Sequence, residues 1–370
     1  MKHTRQALIN ICLLSLMLSF SALADPTHSS SKAEWWNIPY PTQFDNTQLP
    51  NKQDFIKVAG NRLVDESGQV VLLRGMNIAD PDKLVKQNQW SKEVFKAVKS
   101  WGANVIRLPI HPISWKSRGK SEYFELIDQA VIWANQLDMY LIIDWHSIGY
   151  LPDGLFQHVM YETNEQETRQ FWKDIAFRYQ GVSTIAVYEL FNEPTDQGGR
   201  AGTANWIEWK GVNEALIDII YAHDKRVIPL VAGFNWAYDL RPVKSAPVDR
   251  PGIAYAVHPY PQKAKPEIKN TENFFKLWQE VWGFLANDYP LIATELGWVK
   301  EDGYGAHIPV IDDGSYGPRI IQFMAARHIS WTGWVFDPDW SPTMIKNWSF
   351  EPTEQGEFFK KELLKHDVLP

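Results

Sequence analysis

Val187-Tyr188-Glu189-Leu190-Phe191-Asn192-Glu193-Pro194 is a short, mainly apolar run that ends in an amide, an acid and a proline. It has the length and composition of a buried strand, and proline stops it because it brings no N–H to a ladder. Glu193 therefore stands at the strand's C-terminal end. A second stretch, Leu291-Ile292-Ala293-Thr294-Glu295-Leu296-Gly297, repeats the design, with Glu295 at the same end and Gly297 as the break. Working outward, comparable runs occur at 71–76, 104–108, 139–144, 185–190, 227–232, 253–257, 291–294 and 329–336. Between them lie segments with helical spacing. Phe124, Ile127, Val131, Ala134 and Leu137 form one apolar face; Val212, Ala215, Leu216, Ile219 and Ile220 a second; Phe274, Leu277, Trp278, Val281, Trp282 and Leu285 a third. Strands alternating with amphipathic helices predict a parallel sheet covered by helices. Eight such units without a Pro/Gly/Ser linker predict one α/β domain over 56–370, a closed (β/α)8 TIM barrel, in preference to an open doubly wound sheet. Lys57-Val58-Ala59 and Arg62-Leu63-Val64 predict a short N-terminal β-hairpin leading into it.

The N-terminus reads as an export signal. Lys2 and Arg5 precede an apolar run from Ala7 to about Phe20, and Ala22-Leu23-Ala24 supplies small residues for cleavage near Ala24. Residues 1–24 are thus expected to be removed, leaving a secreted protein, extracellular or periplasmic, with no membrane anchor in the mature form; a monomer is expected. Cys12, the single cysteine, leaves with that segment, so stability must come from burial rather than disulfides. Residues 25–55, rich in Ser, Pro, Asn, Gln and Thr, read as a tether or strap without a fold of its own. Removing 1–24 takes Lys2 and Arg5 and no acid, which leaves 35 basic and 44 acidic residues, a net charge of −9. Nucleic acid is thereby an unfavourable partner. The 18 tryptophans point instead to a ligand with apolar ring faces, such as a sugar, for those that sit on loops at the active end.

Barrel enzymes place their active sites at the C-terminal strand ends, and here those ends are polar or aromatic. The candidate strands run out at Arg74 and Asn77, Arg107, Asp144 and His146, Asn192 and Glu193, Asn235 and Trp236, His258 and Tyr260, Glu295, and Trp334. Glycosidic bonds are cleaved by two carboxyl groups, one protonating the leaving oxygen and the other attacking or activating water. Glu193 and Glu295 are the candidate pair, and double displacement would need their carboxyls about 5–5.5 Å apart. A lone glutamate at a strand end is usually a solvated loop residue; two at matched positions are not explained so simply.

The run Val187 to Pro194, with its Asn192-Glu193-Pro194 core, resembles the acid/base signature of glycoside hydrolase family 5. Thr294-Glu295-Leu296-Gly297 is similar to that family's nucleophile segment. The likeness extends over about 73–336 and takes in Arg107, His146, His258, Tyr260 and Trp334. It implies a (β/α)8 fold, a polysaccharide substrate and hydrolysis of a β-linkage with retention. Glu193 would then be acid/base and Glu295 nucleophile, without metal or cofactor. On this reading Arg107 and Tyr260 donate to Glu295 and keep it ionised, while Glu193 must stay protonated near neutral pH. Asn192 would bond the sugar 2-hydroxyl, His146 and His258 would be hydrogen-bond partners in the cleft, and Trp334 would be the floor under the reacting sugar. Trp236, Trp298 and Trp340 are further sugar platforms by position, with Trp115 and Trp206 behind them.

An endo-β-1,4-glucanase is the expected activity, with mannanase or another β-glucanase as the enzymatic alternative and an inactive glycan-binding barrel as the non-enzymatic one. The loops that would decide the sugar, at 150–165, 195–206, 234–250, 299–315 and 337–350, match no readable pattern; Gly198-Gly199 and Gly202 suggest that the second moves. A metal held by Asp144, His146, His111 and His258 is disfavoured by the lack of a His-x-His pair or a His-Glu-x-x-His helix.

Overall fold

A computed structural model describes residues 34–195 and 204–365; the expected export signal and the glycines at 198, 199 and 202 lie outside them. Eight parallel strands close into a barrel: β1 Arg74–Ile78, β2 Val105–Ile110, β3 Tyr140–Trp145, β4 Ile185–Glu189, β5 Ile228–Ala232, β6 Ala254–Ala256, β7 Leu291–Leu296 and β8 Ser330–Phe336. Each pairs with its neighbours in sequence, and β8 closes on β1 through Trp331 opposite Arg74. Every residue of β2 and β8 is buried. That explains why the strands read as continuous apolar runs, since side chains face either the barrel interior or the covering helices and neither side meets water.

The interior is filled by Val105, Ile142, Val187, Ile228, Leu230 and Ile292, with small residues at Ala186, Ala254 and Ala256. Ile56 and Leu63 belong to the same cluster. The N-terminal hairpin, Lys57–Ala59 paired antiparallel with Arg62–Val64, therefore plugs one end of the barrel. The plug also moves the first strand. An apolar run at 71–76 predicted its place, but Val70 bridges to Val64 and the Val71 N–H donates to the Leu63 carbonyl, so the parallel ladder begins only at Arg74.

Around the barrel the first two amphipathic faces become helices Lys120–Gln136 and Trp206–Tyr221. The third stops at Val281, earlier than its periodicity suggested. Trp282 leaves helical geometry and Gly283 passes so close to Phe323 that a Cβ would meet the ring at 2.6 Å. Asn164, Asn205 and Asn270 cap their helices by accepting backbone N–H groups, each worth about 1 kcal/mol. Residues 34–55 form no domain but cross the outside of the barrel. Phe44 is buried there, Asn51 and Asn135 exchange three hydrogen bonds, and the Lys173 ammonium donates to the Ile38 carbonyl. Among the described residues no helix is long and apolar enough to cross a membrane.

Candidate active site

The C-terminal ends of the strands bring Asn77, Arg107, Asp144, Glu189, Thr294 and Glu295 into one buried layer. Arg107 is its hub. A guanidinium has five N–H donors in a fixed fork, and here they face five acceptors. Nε meets Glu189 at 2.6 Å, Nη1 meets Asn77 at 2.9 Å and Glu295 at 3.0 Å, and Nη2 meets Asn192 at 2.7 Å and Asp144 at 3.0 Å. Burial alone would weaken its hold on the proton, but Asp144, Glu189 and Glu295 more than offset that and raise its pKa.

Glu295 accepts from Arg107 and, at 2.8 Å, from the Tyr260 hydroxyl. The two donors anticipated from the sequence are therefore in place, but their effect is not the one expected. Burial raises the Glu295 pKa, and His258, Arg107 and the Tyr260 hydrogen bond only moderate the rise, while the nearby Glu193 charge adds to it. The deficit follows from charge count: Asp144, Glu189, Glu193 and Glu295 gather around one guanidinium and one imidazole. Protons must be retained somewhere, and burial also pushes Asp144 up, against the pull of Arg107.

Glu193 stands just beyond β4, and its Oε1 lies 2.8 Å from His258 Nδ1. On the other side of that ring Nε2 is 3.0 Å from Thr294 Oγ1, whose hydroxyl donates to Glu189 Oε1 at 2.8 Å. Because that proton is directed at a carboxylate, the threonine oxygen must accept from His258, which puts a proton on Nε2. Nδ1 is then the atom that shares a proton with Glu193. Burial would lower the His258 pKa, but Glu295, Glu189 and Glu193 raise it. Glu193-Pro194 also pairs in parallel with Ile148-Gly149, and Gly149-Tyr150 pairs antiparallel with Leu155-Phe156. The loop after β3 is thereby folded over the acid.

The two carboxylates and His258 each offer an atom within 4.8 Å of the others. Among the described residues this is the one acidic and imidazole cluster close enough to be considered as a metal set, and its atoms are already engaged with one another, Arg107 and Tyr260. Asp144, His146 and His111 do not join it. They form two separate pairs, His146 Nδ1 with Asp144 at 2.6 Å and His111 Nδ1 with Asp80 at 2.9 Å. Burial, His111, Arg107 and His258 keep the His146 ring neutral.

Above this layer opens a cleft of about 680 Å³, in the range of ligand sites. Asn192, Glu193, Tyr260, Glu295, His146, Trp334 and Trp236 all line it. The Asn192 amide is oriented by Arg107, which takes its oxygen, and its buried Nδ2 has no hydrogen-bond partner among the described residues. An unpaired buried donor beside two carboxylates is a ready contact for a sugar hydroxyl. Trp334 lies parallel to the His146 ring, centroids 5.4 Å apart, and parallel to Trp340 at 6.0 Å. Trp340 is not among the residues that line the cleft; it is held beside Trp334 by Lys83, whose ammonium sits over its ring and bonds Asp337. Trp236 donates its indole N–H to Gln157 at 2.7 Å.

Trp298 is a correction. Its indole is buried behind the barrel against Tyr316, Phe358 and Phe359, where Gly317 makes room for it, and it does not face the cleft. A tryptophan three residues after Glu295 looks like a rim residue in sequence, yet the chain has turned outward by then. Trp115 and Trp206 are likewise anchors, the first packed among Tyr123, Phe124 and Phe171, the second bonded to the Ala246 carbonyl. Sequence reasoning assigned no role to Glu189 and Thr294 in the buried layer, or to Gln157, Tyr161, His307 and Lys263, which also line the cleft. The first two had a legible signal, a polar side chain inside an apolar strand. The others come from patternless loops.

Residues 64–339 match the model of cellulase, glycosyl hydrolase family 5. The chain belongs to glycoside hydrolase family 5. A β-glucanase of Saccharophagus degradans, solved in native form and with cellotetraose, is 62% identical, with a TM-score of 0.88 over 91% of this chain and 100% of that one. An endoglucanase of Halalkalibacter akibai is 29% identical over 90% of this chain, and one of Clostridium saccharobutylicum 25% over 83%. The chain spans 42% and 64% of those two relatives' own lengths. This family 5 member is also similar in fold to more distant structures such as the Thermobifida fusca endoglucanase domain, 23% identical at a TM-score of 0.66, over 84% of this chain and 97% of that one.

Proposed function

We propose that this protein is a secreted, retaining β-glycoside hydrolase, an endo-β-1,4-glucanase that cleaves internal bonds of a β-glucan by double displacement. The observation that carries the reading is the pairing of Glu193 and Glu295, with atoms within 4.8 Å across one cleft and in different surroundings. The spacing favours direct attack, since a base working through water would leave a wider gap of about 6.5–9.5 Å. Glu295, oriented by Arg107 and Tyr260, attacks the anomeric carbon while Glu193 gives its proton to the departing glycosidic oxygen. Forming the glycosyl ester removes the Glu295 charge, so Glu193, relieved of a like-charged neighbour, becomes the base that takes a proton from water. His258 holds Glu193 in line throughout, and Asn192 Nδ2 meets the 2-hydroxyl. Trp334 carries the reacting sugar on its face, with Trp236 extending the platform and Trp340 stacked beside Trp334.

A glucan is favoured over a mannan by the cellotetraose complex of the S. degradans relative and by the endoglucanase names of the curated ones. Export rests on the N-terminal signal and predicts that the protein recovered from outside the cytoplasm begins near Asp25, which N-terminal mass spectrometry reads directly. The deciding experiment compares wild type, Glu193→Ala and Glu295→Ala on soluble β-glucans and mannans. Wild-type hydrolysis of a β-1,4-glucan and a loss of about 10²-fold or more in both variants are expected. A preference for mannan would overturn the substrate, and an inert wild type would favour the glycan-binding barrel.

A further inference from the structure

Asn235, Trp236 and Ala237 have φ of 56°, 53° and 54°, three non-glycine residues in succession in the left-handed region. L-residues visit that region singly at a cost and do not hold a run of it without outside support. Their carbonyls show where the support comes from. The Ala237 oxygen accepts from the His258 backbone N–H at 2.7 Å, and the Asn235 and Trp236 oxygens accept from the Lys263 ammonium at 3.2 and 2.5 Å. All three are thus satisfied from the segment that follows β6. Lys263 forms no ion pair among the described residues; its ammonium lies near the rings of Tyr238 and Tyr260 and at the cleft wall.

We propose that Lys263 is a positioning residue that locks the 235–237 turn and so holds Trp236 as a wall of the cleft on the leaving-group side. The side follows from the proposed function, on which this inference rests. Glu193 protonates the leaving oxygen, so the departing sugars lie toward Glu193. Trp236 bonds Gln157, and the loop bearing Gln157 is paired onto Glu193-Pro194 through Ile148 and Gly149. Trp334, by contrast, lies on β8, next to the strand of Glu295. Lys263 therefore serves substrates whose leaving group is itself a sugar chain, and matters less for a small aryl leaving group.

The test compares kcat/KM on a β-1,4-gluco-oligosaccharide of five units with that on an aryl β-cellobioside, in Lys263→Met, Lys263→Arg, Trp236→Ala and the double variant Lys263→Met/Trp236→Ala. Lys263→Met should lower the oligosaccharide-to-aryl ratio about tenfold, about the size of one lost sugar contact of 1.4 kcal/mol. Lys263→Arg should restore most of it, and Lys263→Met should add less than about twofold in the Trp236→Ala background, because both act through one contact. Equal losses on both substrates, or multiplicative losses in the double variant, would overturn the proposal. If wild type hydrolyses neither substrate, the glycosidase reading falls, and the crystal structure of Lys263→Met decides on Lys263. A turn that reorders with loss of the Trp236 to Gln157 bond supports the lock, and an unchanged turn refutes it.

Discussion

Arg107 shows how one residue divides charge among several acids. Its five donors have fixed directions, so each acceptor is held at a defined angle, and its one charge is shared among the carboxylates of Asp144, Glu189 and Glu295. Lysine cannot replace it: an ammonium has three donors and would leave buried acceptors unpaired. Arg107→Lys is expected to cost about 1–3 kcal/mol of stability in denaturant unfolding, the penalty for buried acceptors left unpaired while the charge is kept, and to lower activity with it. Tyr260 makes a narrower prediction. Because burial outweighs its donors, Glu295 ionises only above the usual carboxylate range, and activity should fall as pH drops through that raised value. Tyr260→Phe removes a hydrogen bond that favours the charged form, so the acid limb of kcat/KM should move to higher pH. A limb that stays put or moves down would show that Tyr260 does not set the ionisation of Glu295. Both residues were legible in the sequence as polar ends of apolar strands; the sign of the Glu295 shift was not, because it depends on how many acids converge from distant strands.

At the scale of elements, two small pieces govern the mouth and floor of the barrel. The strand pair formed by Ile148–Tyr150 and Glu193-Pro194 ties a loop to the acid. It requires glycine at 149, where φ is 153° and a Cβ would stand 2.1 Å from the Leu155 carbonyl oxygen. Gly149→Ala should push the loop off Glu193 and lower kcat while leaving the barrel's far-UV circular dichroism unchanged; wild-type kcat would refute the coupling. At the opposite end Leu63 fills the barrel floor from the hairpin. Leu63→Ala is expected to cost about 2–5 kcal/mol, measured by the denaturant midpoint, without changing KM. The hairpin was plain from its two short runs and intervening turn. Its effect on the start of β1 was not, since residues 70–71 suit either ladder and only tertiary pairing chose.

Across the whole molecule the burial of the Asp144 and Glu295 carboxyls opposes stability. Between the ordinary carboxylate pKa and its raised folded value, Glu295 binds a proton in the folded chain that the unfolded chain has already lost. Stability therefore falls as pH rises through that window, and the deficit is complete above it. Glu295→Gln removes the charge and keeps the shape. It should abolish hydrolysis and raise the Tm at neutral pH, by about 2 °C for each kcal/mol relieved, with the gain shrinking toward acid pH. A lower Tm at neutral pH would mean that the hydrogen bonds of the carboxylate outweigh its burial.

Periodicity and strand ends sufficed to read the barrel from the sequence, because burial on both faces leaves a signature in every strand, and two glutamates at matched strand ends are harder to explain as solvated loop residues than one. Glu193, Glu295, Arg107, Asn192, His258 and Tyr260 stood out as polar strand ends, and the resemblance to glycoside hydrolase family 5 singled them out from the other ends. Only the tertiary structure decided which tryptophans meet the cleft. Trp236 and Trp334 line it, whereas Trp298, similarly placed in the chain, is buried behind the barrel. It also revealed the Thr294-Glu189 link that sets the His258 tautomer and the Lys263 clamp on a left-handed turn. The physical reason is the same in each case. A strand's environment is written in its own residues, but the direction of a loop side chain and the ionisation of a buried acid depend on groups brought together from far along the chain.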